Sequence, residues 1–111
     1  MSFDRWSVVV VPFPFTDRDA RRRRPAVVVS HAEEFGARVG HSVLAMVTSA
    51  DHRPWPLDAA VSDLSAAGLP APSVVRMKLF TLDDRLIHRQ VGALSAEARA
   101  VARAALKKLL G

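Results

Sequence analysis

The densest chemistry in this chain is a run of guanidinium groups. Arg18, Arg21, Arg22, Arg23 and Arg24 lie in one short segment beside Asp17 and Asp19. A guanidinium is planar and permanently charged, and it can grip two phosphoryl oxygens at once. Such a segment suits a phosphate-binding loop or a plain solvated basic loop, and charge alone leaves the two open. The whole chain carries +5 over 111 residues with a pI of about 11.0, the electrostatic footprint of a polyanion binder. Other chemistries are poorly supplied. The chain has no cysteine, hence no disulfide, thiolate nucleophile or common structural zinc site. There is no glycine-rich phosphate loop, no G-x-S-x-G and no His-x-x-x-His pair. His31, His41, His52 and His88 are scattered, and the carboxylates do not gather as a two-metal nuclease requires. The residues point away from metal catalysis and imply no cofactor.

The elements that must position these groups can be read along the chain. Val8 to Phe13 is a β-branched run closed by Pro12 and Pro14. Proline cannot donate to a ladder, so a strand should end there or lie on an edge. Thr16 to Arg23 is polar and aperiodic, which reads as a loop. Pro25 to Ser30 is a continuous apolar run that suits a strand buried on both faces, although a buried helical segment has the same pattern. His31 to Gly40 reads as a helical turn and connection, Ser42 to Ser49 as a third strand, and Asp51 to Pro56 as a loop. Pro56 to Leu64 fits either state: Leu57, Val61 and Leu64 have helical spacing, while Leu57, Ala59 and Val61 alternate as in a strand. Ala67 to Pro72 is a turn, and Ser73 to Phe80 a strand or a strand with a kink. Thr81 to Leu86 reads as a brief helix capped by Thr81, with Asp83 and Asp84 near its first turn.

The last element is the clearest. Ser95 is a good N-cap, Glu97 complements the helix dipole, and Lys107 and Lys108 occupy the last turn. Ala98, Val101, Ala102, Ala105, Leu106, Leu109 and Leu110 recur at helical spacing on one face. Five or six short strands and this helix predict one α+β domain over residues 1–111, a small curled antiparallel sheet or barrel with a C-terminal amphipathic helix. MSFDRWS carries Asp4 and does not read as a signal peptide, and no stretch has the length of a membrane span. The expectation is a cytoplasmic protein.

Six ordered pieces of the chain resemble the MazF/PemK toxins. They are Val8-Val-Val-Val-Pro-Phe-Pro-Phe-Thr-Asp17, Arg24-Pro25-Ala-Val-Val-Val-Ser30, Val47-Thr48-Ser49, Gly68-Leu69-Pro-Ala-Pro-Ser73-Val-Val-Arg76, Lys78-Leu-Phe-Thr81-Leu-Asp83 and Gly92-Ala-Leu-Ser95. Each is weak alone; their order and spacing carry the signal. The resemblance implies a homodimeric SH3-like barrel with a C-terminal helix, the fold shared by MazF and CcdB. It also implies a sequence-specific, metal-independent endoribonuclease of a type II toxin–antitoxin system. Such an enzyme cuts single-stranded RNA to 2′,3′-cyclic phosphate and 5′-hydroxyl ends, and an acidic antitoxin covers its RNA groove. The family's catalytic arginine and threonine fall on Arg24 and Thr48. Many members open the first strand with Gly-Asp, where this chain has Trp6-Ser7. The competing readings are a CcdB-like gyrase poison, which lacks the arginine–threonine pair, and a barrel that binds nucleic acid without cutting it.

The chemistry of RNA cleavage by its own 2′-hydroxyl fits these residues. Arg24 suits stabilisation of charge on phosphorus, while a group that stays protonated at neutral pH makes a poor base. Thr48 can donate its hydroxyl to a phosphoryl oxygen. Ser49 is a second phosphate contact or a strand-end cap. Arg21, Arg22 and Arg23 can hold flanking phosphates. Phe15 either stacks on a base or joins the core. Arg76 and Lys78 share one strand parity and face either RNA or solvent. His52 is a candidate proton donor to the leaving oxygen, or an exposed loop histidine.

Overall fold

The β-branched runs form the strands that their composition predicts. The computed structural model describes residues 2–12 and 22–111. Strands β1 (Ser7–Pro12), β2 (Arg23–Val28), β3 (His41–Ser49), β4 (Ala59–Ala60), β5 (Ser73–Asp83) and β6 (Arg89–Ala93) make one sheet in the order β4-β5-β3-β2-β1-β6. All described pairings are antiparallel. The sheet curls into an open half-barrel, and helix α3 (Ala96–Leu110) packs on it. Among the described residues no helix is long and apolar enough to cross a membrane.

Strand alternation distributes the apolar residues to two cores. Val8, Val27, Ala45, Val47 and Val75 join Leu94, Ala98, Ala102 and Leu106 beneath α3. Their neighbours Val9, Val11, Ala26, Val28, Leu44 and Met46 pack on the opposite face with Ile87, Phe80 and Leu82. Continuous valine runs are therefore what this sheet needs, because successive side chains fill different cores.

The connection from β2 to β3 is helical, as its composition implies: a wide turn over Ala32–Gly36 runs into the three-residue α1 (Ala37–Val39). The ambiguous stretch after Pro56 divides. Ala59 and Ala60 pair with Val75 and Val74, and only then does Asp63 cap the single turn α2 (Leu64–Ala67), its carboxylate accepting from the Ala66 N–H at 3.0 Å. This helix ends at Gly68, where φ is +71° and an added Cβ would stand 2.2 Å from the Val91 carbonyl oxygen. From the other side, a Cβ on Gly92 would meet the Ala66 carbonyl oxygen at 2.4 Å. The two glycines let α2 lie directly on β6, a separation no side chain would permit.

Two expectations need correcting, and one strand had none. The brief helix from Thr81 is mostly strand: Thr81, Leu82 and Asp83 pair with Val43, Ser42 and His41. Only Asp84–Leu86 turns helically, capped by the Asp83 carboxylate accepting from the Arg85 N–H at 2.9 Å. Pairing with β3 outweighs the local capping pattern there. Strand β6 has no apolar alternation to announce it and owes its form to ladder bonds with β1. Finally, α3 buries Ala98, Ala102, Ala105 and Leu106 but leaves Val101, Leu109 and Leu110 exposed. Val101 flanks the buried stripe, and no residue of the last turn joins the core.

The entry to β1 shows what replaces the family's Gly-Asp. Trp6 has φ +76°, the left-handed region that glycine adopts freely, yet its indole is only 4% exposed. Its N–H donates to the Val28 carbonyl at 2.7 Å, and its carbonyl accepts from the Leu94 N–H at 3.0 Å. The guanidinium carbons of Arg5 and Arg103 lie 4.4 and 5.5 Å from the ring centroid. The Arg5 pKa is lowered by burial and by the nearby Arg103 charge. Burial of the indole between α3 and the sheet holds a backbone conformation that tryptophan alone would avoid.

Candidate active site

Register brings the two leading residues together. Strands β2 and β3 pair Val28 with Leu44, Val27 with Ala45 and Ala26 with Met46. Arg24 lies two residues beyond Ala26 and Thr48 two beyond Met46, past the end of this ladder, and both line one cleft. The ladder stops short of them at Pro25, which has no N–H to donate. Beyond Ala26 and Met46 the two strands are no longer paired, and the cleft opens where they part.

That cleft has a volume of about 530 Å³. Its walls are Arg22, Arg24, Pro25 and Met46 to Ser49, then His52, Leu69 to Ser73, Arg76 and Lys78. Among the described residues its polar groups are cations, hydroxyls and one imidazole, with no carboxylate, set among apolar side chains from Met46, Val47, Leu69 and the prolines. Seven of the residues singled out in the sequence meet here: Arg24, Thr48, Ser49, His52, Arg22, Arg76 and Lys78. Arg23 does not line it. Strand alternation turns its side chain away, and its Nη1 lies 3.1 Å from His88 Nε2. Arg21 and Phe15 lie outside the described residues.

The turn after β3 aims the imidazole. Ser49 Oγ accepts from the Asp51 N–H at 3.2 Å, and the Ser49 carbonyl accepts from the His52 N–H at 3.1 Å. Ala50 N–H also donates to the Pro72 carbonyl at 3.0 Å, pinning this turn to the opposite wall. The chain therefore folds straight back, and His52 Nδ1 comes within 2.6 Å of Thr48 Oγ1. A hydroxyl and an imidazole in contact at the edge of a cationic cleft form a unit able to hold and move a proton.

Arg76 is held differently. Its Nε and Nη2 donate to the two carboxylate oxygens of Asp58 at 3.2 and 3.0 Å, and Nη2 also donates to the Arg53 carbonyl at 2.8 Å. Both side chains are largely buried, 12% and 13% exposed. Burial pushes the Asp58 pKa up, but the hydrogen bonds from Arg76 and the Trp55 N–H, with the Arg76 charge, bring it below its ordinary value. A two-residue bulge in β5, between the pairs Ala45–Leu79 and Met46–Arg76, sets Arg76 and Lys78 on the cleft wall. Two residues that hold Arg76 from outside the cleft lining went unremarked in the sequence, Asp58 and Trp55. A tryptophan between two prolines in an otherwise polar loop was the available signal; nothing local marked Asp58.

A family model described as a PemK-like, MazF-like toxin of type II toxin–antitoxin systems matches residues 4–110. The chain belongs to this family. No match is found among curated proteins. Among solved structures, the PemK/MazF-like chain is similar to MazF from Deinococcus radiodurans, with 26% identity and a TM-score of 0.75, covering 100% of this chain and 98% of that one. A MazE–MazF complex from the same organism gives 24% identity and a TM-score of 0.74 over 100% and 97%. An endoribonuclease in complex with its cognate antitoxin, from a mycobacterial species, gives 16% identity and a TM-score of 0.78 over 99% and 96%. The half-barrel with a C-terminal helix is thus the architecture of MazF toxins, as the resemblance implied.

Proposed function

We propose that this toxin is a metal-independent endoribonuclease that cuts single-stranded RNA at short sequences, leaving 2′,3′-cyclic phosphate and 5′-hydroxyl ends. The observation that carries the reading is the cleft that Arg24 and Thr48 line together, with Thr48 in contact with His52. Arg24 stabilises the added negative charge on the scissile phosphorus, with its guanidinium against two phosphoryl oxygens. His52 donates from Nδ1 to Thr48 Oγ1, which leaves the Thr48 hydroxyl hydrogen for a phosphoryl oxygen. The 2′-oxygen attacks phosphorus as its proton passes to a solvent water, the bond to the 5′-oxygen breaks, that oxygen takes a proton from His52 Nε2, and the imidazole is reprotonated from solvent. Ser49, Arg22, Arg76 and Lys78 hold the phosphates and sugars on either side.

A positive cleft of this kind also accepts an acidic peptide, since carboxylates compete for the sites that phosphates use. We therefore read the chain as one half of a pair with an acidic antitoxin, acting in the cytoplasm as a homodimer. The test is incubation of purified protein with a long single-stranded RNA in EDTA, followed by mapping of 5′-hydroxyl ends. Discrete cuts are expected. Arg24→Ala and Thr48→Ala should each slow cutting by about a hundredfold to a thousandfold. In His52→Ala, the fall in rate at alkaline pH should disappear. Near-normal cutting by Arg24→Ala would sink the assignment.

A further inference from the structure

Trp55 is the one large aromatic beside the cleft among the described residues, and the cleavage chemistry above leaves it unused. It is 43% exposed, between Pro54 and Pro56 in the loop that follows His52. The loop is fixed. Trp55 N–H donates to Asp58 Oδ2 at 2.9 Å, and the Asp58 N–H returns to the Trp55 carbonyl at 3.3 Å. Arg76 braces the same segment through the Arg53 carbonyl. Its guanidinium carbon lies 5.0 Å from the indole centroid, and the Lys78 ammonium lies 5.8 Å away. Two cations of the cleft wall thus orient an aromatic ring without covering it. A ring fixed in place, half exposed and beside positive charge matches a nucleotide: the exposed part of the indole takes the base and Lys78 an adjoining phosphate, while Arg76, paired with Asp58, holds the ring.

We propose that Trp55 is the stacking platform for one unpaired base of the RNA, next to the phosphate held between Arg24 and Thr48. This rests on the ribonuclease reading above. Stacking of this kind tolerates any base, so the platform adds affinity while leaving sequence choice to other contacts.

The test uses a short RNA spanning a mapped cut, made uncleavable by a 2′-deoxy sugar at the attacking nucleotide. Its binding should quench tryptophan fluorescence, and the signal belongs to Trp55 because Trp6 is only 4% exposed. Trp55→Leu should bind this RNA about 5- to 100-fold more weakly, while Trp55→Phe retains most of the affinity. Replacing one base beside the cut by an abasic site should weaken the wild type to a similar degree and add nothing further in Trp55→Leu. Binding without quenching, or abasic losses equal in both proteins at every position, overturns the platform alone. Loss of antitoxin binding in Trp55→Leu with RNA affinity unchanged overturns it too. Failure of the wild type to cut any RNA overturns the platform together with the ribonuclease reading.

Discussion

Replacing Trp6 by glycine should cost less stability than replacing it by alanine. Both substitutions remove a buried indole that packs with Leu94, Ala98, Ala102 and Leu106, a loss of about 3–5 kcal/mol. Both also strip the contacts with Arg5 and Arg103. They differ only in the backbone. At φ +76° any residue with a Cβ is strained, and glycine is not. Glycine surrenders about 0.5–1 kcal/mol through its freer unfolded chain, but at positive φ the relief exceeds that term. The net advantage of Trp6→Gly over Trp6→Ala should be on the order of 1 kcal/mol, or roughly 4 °C in Tm for a domain of this size. Urea unfolding followed by circular dichroism reads this directly, provided the slopes of the two variants agree. Equal midpoints, or a more stable alanine variant, would show that the left-handed conformation carries no strain, and the account of β1's entry would fail.

Three other perturbations test the remaining structure. Gly92→Ala places a methyl 2.4 Å from the Ala66 carbonyl oxygen, so α2 must lift from β6; a loss of at least about 1–3 kcal/mol is expected in thermal unfolding. The Asp58–Arg76 pair should make stability pH-dependent on the acid side. Because the Asp58 pKa is lowered in the folded state, its contribution is complete above the ordinary carboxylate pKa of about 3.9 and is lost as pH falls through the lower, folded value. Asp58→Asn should be less stable by on the order of 2 kcal/mol at neutral pH, with the gap to wild type closing in acid; a gap independent of pH would refute the linkage. Arg22→Ala should shallow the salt dependence of RNA binding by about 0.7 in log–log slope, whereas Arg23→Ala, whose guanidinium turns to His88, should leave the slope unchanged.

How much of this was legible depended on where the determining interactions lie. β1, β2 and β3 are visible because their valine runs state the burial that makes them strands, and α3 because Ser95 and the lysines mark its ends. β6 is invisible because Arg89-Gln-Val-Gly-Ala93 becomes a strand only by pairing with β1. The site divides in the same manner. Arg24 and Thr48 were singled out through the ordered motifs, and both line the one cleft. Arg22 and Arg23 looked equivalent as members of a basic run, but the strand begins at Arg23, so alternation sends neighbouring arginines to opposite sides. Asp58 and Trp55 were missed because their partner, Arg76, is far along the chain.

The strand order also bears on how the protein is made. β1 is synthesised before the other five strands, yet one of its two neighbours is β6, the last of them, with Ser7 set against Ala93. A growing chain can pair β1 with β2 and β2 with β3, but until residue 93 emerges the outer edge of β1 remains an open template for other strands. The partners of Trp6 come later still, since Leu94, Ala98, Ala102 and Leu106 all follow β6. The walls of the cleft are complete in sequence by Lys78, but the scaffold that fixes them closes only once β6 and α3, which follow, have been made.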